Sequence, residues 1–190
     1  MKRDNGRDLL VVIDMQNDFI GGKLAAPEAE AIMPHALDVI RGFAGDKIFT
    51  MDTHDERYPE TNEGQHLPIE HCVRGTWGWE LDSRIAQQSE DSLILEKPTF
   101  GSLELGAILS DLDKEAPVRS VTMIGLVTDI CVLSNAVIAK AALPYSEILV
   151  DAAATAGTTP ENKETALDAL EAIHVIVKNR HDARSGLLSD

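Results

Sequence analysis

The sequence predicts an α/β fold: three layers, α/β/α, around a mostly parallel six-stranded sheet. Six short apolar runs alternate with stretches of helical spacing, as expected of strands joined by crossover helices. The first run, LLVVID at 9–14, is continuously apolar up to its aspartate, which marks a strand covered on both faces. A length of 190 residues suits one domain over 1–190, with room for a sizeable core.

The elements follow in order. After the first strand, 27–43 places Ile32, Ala36, Val39, Ile40 and Phe43 on one side of a helix, with Pro27 in its first turn. KIFTMD at 47–52 is the second strand. Residues 53–79 have no sustained period and form a long loop, a length usually reserved for function. DSLILEK at 91–97 is the third strand, and 102–113 the next helix. RSVTMIG at 119–125 is the fourth strand. The helix over 129–142 is apolar almost all round and expected to be well buried. EILVDAA at 147–153 is the fifth strand. An amphipathic helix covers 160–173, with Thr158 or Thr159 to cap it. HVIVKN at 174–179 is the sixth strand, before a polar tail.

Composition narrows the function classes. Hydrophobic residues make up 44% and charged residues 26%, an ordinary globular balance. A net charge of −15 repels phosphate backbones and anionic lipid, so no nucleic-acid or membrane partner is expected. Two cysteines, Cys72 and Cys131, make no disulfide framework. Free thiols suit a reducing compartment. The short apolar run after the basic start meets Asp14 without a cleavage site and reads as a strand. A cytoplasmic protein is expected.

In a parallel sheet, sites form beyond the carboxyl ends of the strands. Asp14 ends the first strand here, Asp52 the second and Lys97 the third, while Cys131 follows the fourth. A thiolate is a nucleophile, and a helix N-terminus or a cation such as Lys97 lowers a thiol's pKa. Asp14 can take the thiol proton and return it to a leaving group. Taken singly, a lone cysteine in an apolar helix is more often packing. The joint placement of Asp14, Lys97 and Cys131 on one rim is what points to acyl transfer or amide hydrolysis.

The strings VVIDMQNDFIGGKL, EKPTFGS and GLVTDICVLSNAVIA resemble the isochorismatase-like cysteine hydrolases, a superfamily that includes nicotinamidases. The resemblance runs over about 8–180. It implies an Asp14–Lys97–Cys131 triad and a cis peptide at Leu126–Val127. It also implies an oxyanion site made by the amides of Val127 and Cys131. Phe19 and Leu126 are implied to line the substrate pocket, and a homo-oligomer, dimer or tetramer, is implied as well.

The long loop bears on the subfamily. Asp52 and His54, two apart at a strand end, face the same way, and carboxylate plus imidazole suits Zn²⁺, Fe²⁺ or Mn²⁺. The resemblance implies a divalent metal, zinc first, held by Asp52, His54 and His71. Glu63 is the expected fourth ligand, with Glu60 the second choice. His66 and Cys72 read as incidental. Trp77 and Trp79 are left open between pocket wall, subunit contact and core. The implied reaction is hydrolysis of a small carboxamide, nicotinamide to nicotinate and ammonia, through a thioester. LPIEH lacks the aromatic that some nicotinamidases carry there. An amidase for another small amide or a carbamoyl or ureido compound is therefore the alternative. A non-catalytic member of the fold is the reading from outside the enzymes.

Overall fold

The computed structural model describes residues 5–180. The basic start and the polar tail beyond 180 lie outside the described residues. In chain order the elements are β1 (Arg7–Ile13), α1 (Asn17–Ile20), α2 (Ala29–Gly42) and β2 (Asp46–Asp52). A 3-10 turn at Tyr58–Glu60 then precedes α3 (Asn62–His66), α4 (Ser83–Ala86) and β3 (Leu93–Lys97). α5 (Leu103–Glu115) leads to β4 (Val118–Leu126), and a π-helical turn at Thr128–Val132 leads to α6 (Leu133–Ala142). β5 (Glu147–Ala156), α7 (Pro160–Ala172) and β6 (Ile176–Lys178) complete the fold. The six strands form one sheet in the order β3-β2-β1-β4-β5-β6, every pair parallel.

Period two explains the layers. Along β1, Leu10 and Val12 enter one apolar cluster with Ile32, Met33, Ala36 and Ile40 of α2. Leu9, Val11 and Ile13 enter the opposite cluster with residues of α5, α6 and α7. The central strand is thus apolar on both sides, as its unbroken run requires. Among the described residues no helix is long and apolar enough to cross a membrane.

Several boundaries differ from expectation, each for a local reason. Pro27 stands before α2 rather than in its first turn, since the helix starts at Ala29. Pro34 lies inside α2 but on the exposed face, where the carbonyl it leaves without a helical donor can turn to solvent. The loop expected over 53–79 contains the 3-10 turn and α3, both too short to show a period. α6 is less enclosed than its composition suggests, because Val137 is exposed. β6 is shorter than 174–179, bounded by His174 at φ 64° and Asn179 at φ 53°, conformations that end a strand. Thr159, rather than Thr158, caps α7 by accepting from the Asn162 N–H at 3.1 Å.

Gly125 is needed where β4 passes β1. Its φ is +116°, and a Cβ there would fall 2.0 Å from the Ile13 carbonyl oxygen. Gly125→Ala is expected to cost about 3 kcal/mol, combining a forbidden φ with backbone overlap. Urea unfolding checks this, and a loss under about 1 kcal/mol would contradict it.

Candidate active site

The sheet brings the carboxyl ends of β1, β2, β3 and β4 together. Asp14 follows β1 in a left-handed conformation, φ 48°, that turns the chain out of the sheet. Asp14 is 0% exposed and Lys97, the last residue of β3, is 1% exposed. Lys97 Nζ lies 2.6 Å from Asp14 Oδ2, 3.6 Å from Asp52 Oδ1 and 3.6 Å from Cys131 Sγ. It also donates to the Thr99 carbonyl at 3.1 Å. The Thr50 hydroxyl donates to Asp14 Oδ1 at 2.6 Å.

Cys131 does not open the α-helix as expected. It is the fourth residue of the π-helical turn, in which the Val132 N–H donates to the Val127 carbonyl at 3.1 Å, five residues back. The Leu126–Val127 peptide ahead of the turn is cis. Asn135 fastens the turn to the 97–102 loop. Its amide donates to the carbonyls of Cys131 (2.8 Å) and Phe100 (3.1 Å) and accepts from the Ser102 N–H (2.9 Å). Asp129 ties the turn to the start of α7, accepting from the Thr158 N–H at 2.8 Å and its hydroxyl at 2.5 Å.

Burial sets the protonation of these groups. It pushes the Cys131 thiol well above its usual range, with Lys97 pulling it back and the carboxylates of Asp14 and Asp52 pushing it further up. This corrects the expectation of a lowered thiol pKa: desolvation outweighs the single cation. Burial also raises Asp14, opposed first by the Lys97 charge. Burial works against the Lys97 ammonium too, but attraction to the Asp14 and Asp52 carboxylates outweighs it and keeps the lysine charged. The resting arrangement is a neutral thiol beside a carboxyl of raised proton affinity, a pair suited to handing a proton across.

A second cluster adjoins the first through Asp52. Ligand atoms of Asp52, His54, Glu63 and His71 all lie within 4.8 Å of one another. Asp52 Oδ2 is 3.0 Å from His54 Nε2 and 3.3 Å from His71 Nε2, and Glu63 Oε1 is 3.6 Å from each of those nitrogens. His71 Nδ1 pairs with the Ile69 carbonyl at 2.8 Å, which points Nε2 into the cluster. Asp52 Oδ1 is buried without a hydrogen bond. Two imidazoles and two carboxylates converging on one point fit a divalent metal. Burial raises the Asp52 carboxyl, but hydrogen bonds from His54 and His71 outweigh it and hold the group below its usual range. Burial and Asp52 raise Glu63. Glu63 joins the cluster. Glu60 lines a cleft of about 500 Å³ beside it, together with His54, Arg57, Tyr58, Arg74 and Lys97.

The other expected residues fall as follows. The Phe19 ring packs edge-on to His71 with centroids 5.7 Å apart. Leu126 is 0% exposed, its side chain buried within the apolar core. Cys72 is buried and unpaired, and His66 is exposed. Trp77 is 61% exposed. Trp79 packs on the core and donates to the Thr53 hydroxyl at 2.9 Å. Sequence reasoning missed Gln16. Its buried amide accepts from the Asp52 N–H at 2.7 Å and donates to the carbonyls of Asp52 (2.8 Å) and Trp79 (2.7 Å). A glutamine two residues past the strand-ending Asp14, in the string MQNDF, is the signal that could have found it.

Comparison with known proteins gives consistent neighbours. The isochorismatase domain description matches residues 8–182. A nicotinamidase of Saccharomyces cerevisiae is 29% identical over 109 residues, covering 42% of this chain and 50% of that relative. The pyrazinamidase of Pyrococcus horikoshii, solved in complex with zinc, superposes with a TM-score of 0.75 at 28% identity, over 90% of this chain and 98% of that one. N-carbamoylsarcosine amidase of Thermoplasma acidophilum does so with a TM-score of 0.72 at 28% identity, over 93% and 99%.

Lys97 holds two carboxylates and a sulfur around one buried cation. Lys97→Met is expected to destabilise the protein by about 3 kcal/mol, since Asp14 and Asp52 lose their shared counter-charge. It also removes the Lys97 charge that pulls the Cys131 pKa down. Alkylation of Cys131 by iodoacetamide should rise with pH only above the range of free cysteine in the wild type, and at still higher pH in the variant. A midpoint unmoved by the substitution would contradict this electrostatic role.

Proposed function

Because the chain belongs to the isochorismatase domain family, we propose that it is a cysteine-dependent amidohydrolase of nicotinamidase type, cleaving a small carboxamide to acid and ammonia. The observation that carries this reading is the meeting of Asp14, Lys97 and Cys131 within reach of one ammonium group, at 2.6 and 3.6 Å.

In this mechanism Asp14 accepts the thiol proton as the Cys131 sulfur attacks the carboxamide carbon. Lys97 balances the charge that forms on the pair. The amides of Val127 and Cys131 stabilise the oxyanion. Asp14 then passes its proton to the departing nitrogen, and ammonia leaves a Cys131 thioester. Water attacks that thioester with Asp14 as base, and the acid product frees the thiol. Asp52, His54, Glu63 and His71 would hold a divalent metal, with zinc the first choice. When bound, such an ion supplies a Lewis-acid anchor for a substrate lone pair. Phe19 shields this side of the site. Two free thiols suit a cytoplasmic setting.

A second reading keeps this chemistry and changes the substrate to a carbamoyl or ureido compound. The likeness to N-carbamoylsarcosine amidase supports it. An ammonia-release assay over nicotinamide, pyrazinamide and N-carbamoyl amino acids separates the two. Cys131→Ala is expected to lower turnover of whichever amide is accepted by at least about 10³-fold. Turnover by Cys131→Ala near the wild-type rate would overturn the nucleophile assignment.

A further inference from the structure

Asp18 lies outside both clusters, yet three segments converge on it. It is 4% exposed. Its Oδ2 accepts from the Cys72 N–H at 2.8 Å and its Oδ1 from the Lys23 N–H at 3.1 Å. Its own N–H donates to the Gly78 carbonyl at 3.0 Å, and its carbonyl accepts from the Leu24 N–H at 2.9 Å. The chain has made room for this carboxylate. A Cβ on Gly22 would lie 2.5 Å from Oδ1, and one on Gly78 would lie 2.2 Å from Oδ2. Neither glycine has a φ in the left-handed region; space for the carboxylate explains Gly78, while at Gly22 a Cβ would also meet the Asp18 Cα at 2.6 Å.

The bond to Cys72 is the informative one. Cys72 has a φ of 44°, a conformation that a residue with a Cβ adopts at a cost and that needs outside support. The peptide that Asp18 grips joins Cys72 to His71, so the carboxylate fixes the backbone from which the His71 imidazole projects. On the other side Asp18 is bonded directly to Phe19, whose ring packs on His71. One buried side chain thus sets both the imidazole and the aromatic ring against it.

We propose that Asp18 is a positioning residue that sets the affinity of the Asp52–His54–Glu63–His71 cluster for a divalent metal, by holding the His71–Cys72 peptide. This rests on the metal-binding reading above. Groups that orient a ligand from behind typically change metal affinity by about 10- to 100-fold when altered. Asp18→Asn keeps the volume but turns one acceptor into an amide that faces a backbone N–H.

The test uses the full chain and zinc alone, titrated in competition with a chromogenic chelator. Asp18→Asn is expected to bind zinc at least about tenfold more weakly than wild type. Gly78→Ala, which crowds Oδ2 without touching any ligand, should weaken binding in the same direction and decides the matter if Asp18→Asn does not fold. Iodoacetamide alkylation of Cys131 in the metal-free protein, mapped by mass spectrometry, should stay within about twofold of wild type. Wild-type protein that takes up no zinc overturns the metal reading and this inference together. Wild-type affinity retained in the variants overturns this inference and leaves the metal reading intact. Weakened zinc binding with a comparable change at Cys131 indicates general loosening and also overturns the positioning role.

Discussion

The ion pair between Lys97 and Asp14 is the constraint from which the rest of the site follows. An ammonium with 1% exposure is tolerated in a protein interior only if counter-charges surround it. Asp14, at the end of β1, and Asp52, at the end of β2, supply them, and the lysine ends β3. Three adjacent parallel strands thus finish in charges that require one another. A one-residue slip in any of them would turn its charge to the other face of the sheet. The register that pairs Asp52 with Lys97 is therefore supported by electrostatics as well as by the apolar faces.

The same lysine joins the two halves of the site. It is 3.6 Å from the sulfur on one side and 3.6 Å from Asp52 on the other. Asp52 in turn contacts both histidines. Charge placed on the four-donor cluster is felt at Lys97, and through it at Asp14 and Cys131. In the proposed mechanism, group binding and proton transfer are parts of one electrostatic network rather than neighbouring devices.

Much of this architecture is legible in the sequence. The unbroken apolar run at 9–14 and the alternation of strands with helices give the parallel sheet, and the parallel sheet places Asp14, Asp52, Lys97 and Cys131 on one rim. The gathering of Asp52, His54, Glu63 and His71 rests more on resemblance, since nothing in residues 53–71 dictates how the loop returns. That return depends on contacts with no period: the Thr61 cap of α3, Tyr58 donating to the Leu67 carbonyl, and Asp18 holding Cys72. The thiol's environment is hidden from the sequence for a related reason. A cysteine after a strand suggests a helix N-terminus and an easily ionised sulfur. Enclosure by both sheet and helices decides otherwise, and enclosure is a property of the assembled fold.

Gln16 carries a consequence of its own. Beyond Ile13 the first strand has turned away, so the end of β2 has lost its neighbour on that side. The side-chain amide of Gln16 accepts from the N–H of Asp52 and donates to its carbonyl, as an adjacent strand would. The hydrogen-bonded ladder is prolonged by a borrowed peptide group. The stretch carrying Asp52 is therefore rigid before anything docks there, and its conformational entropy is lost during folding rather than at the moment of capture.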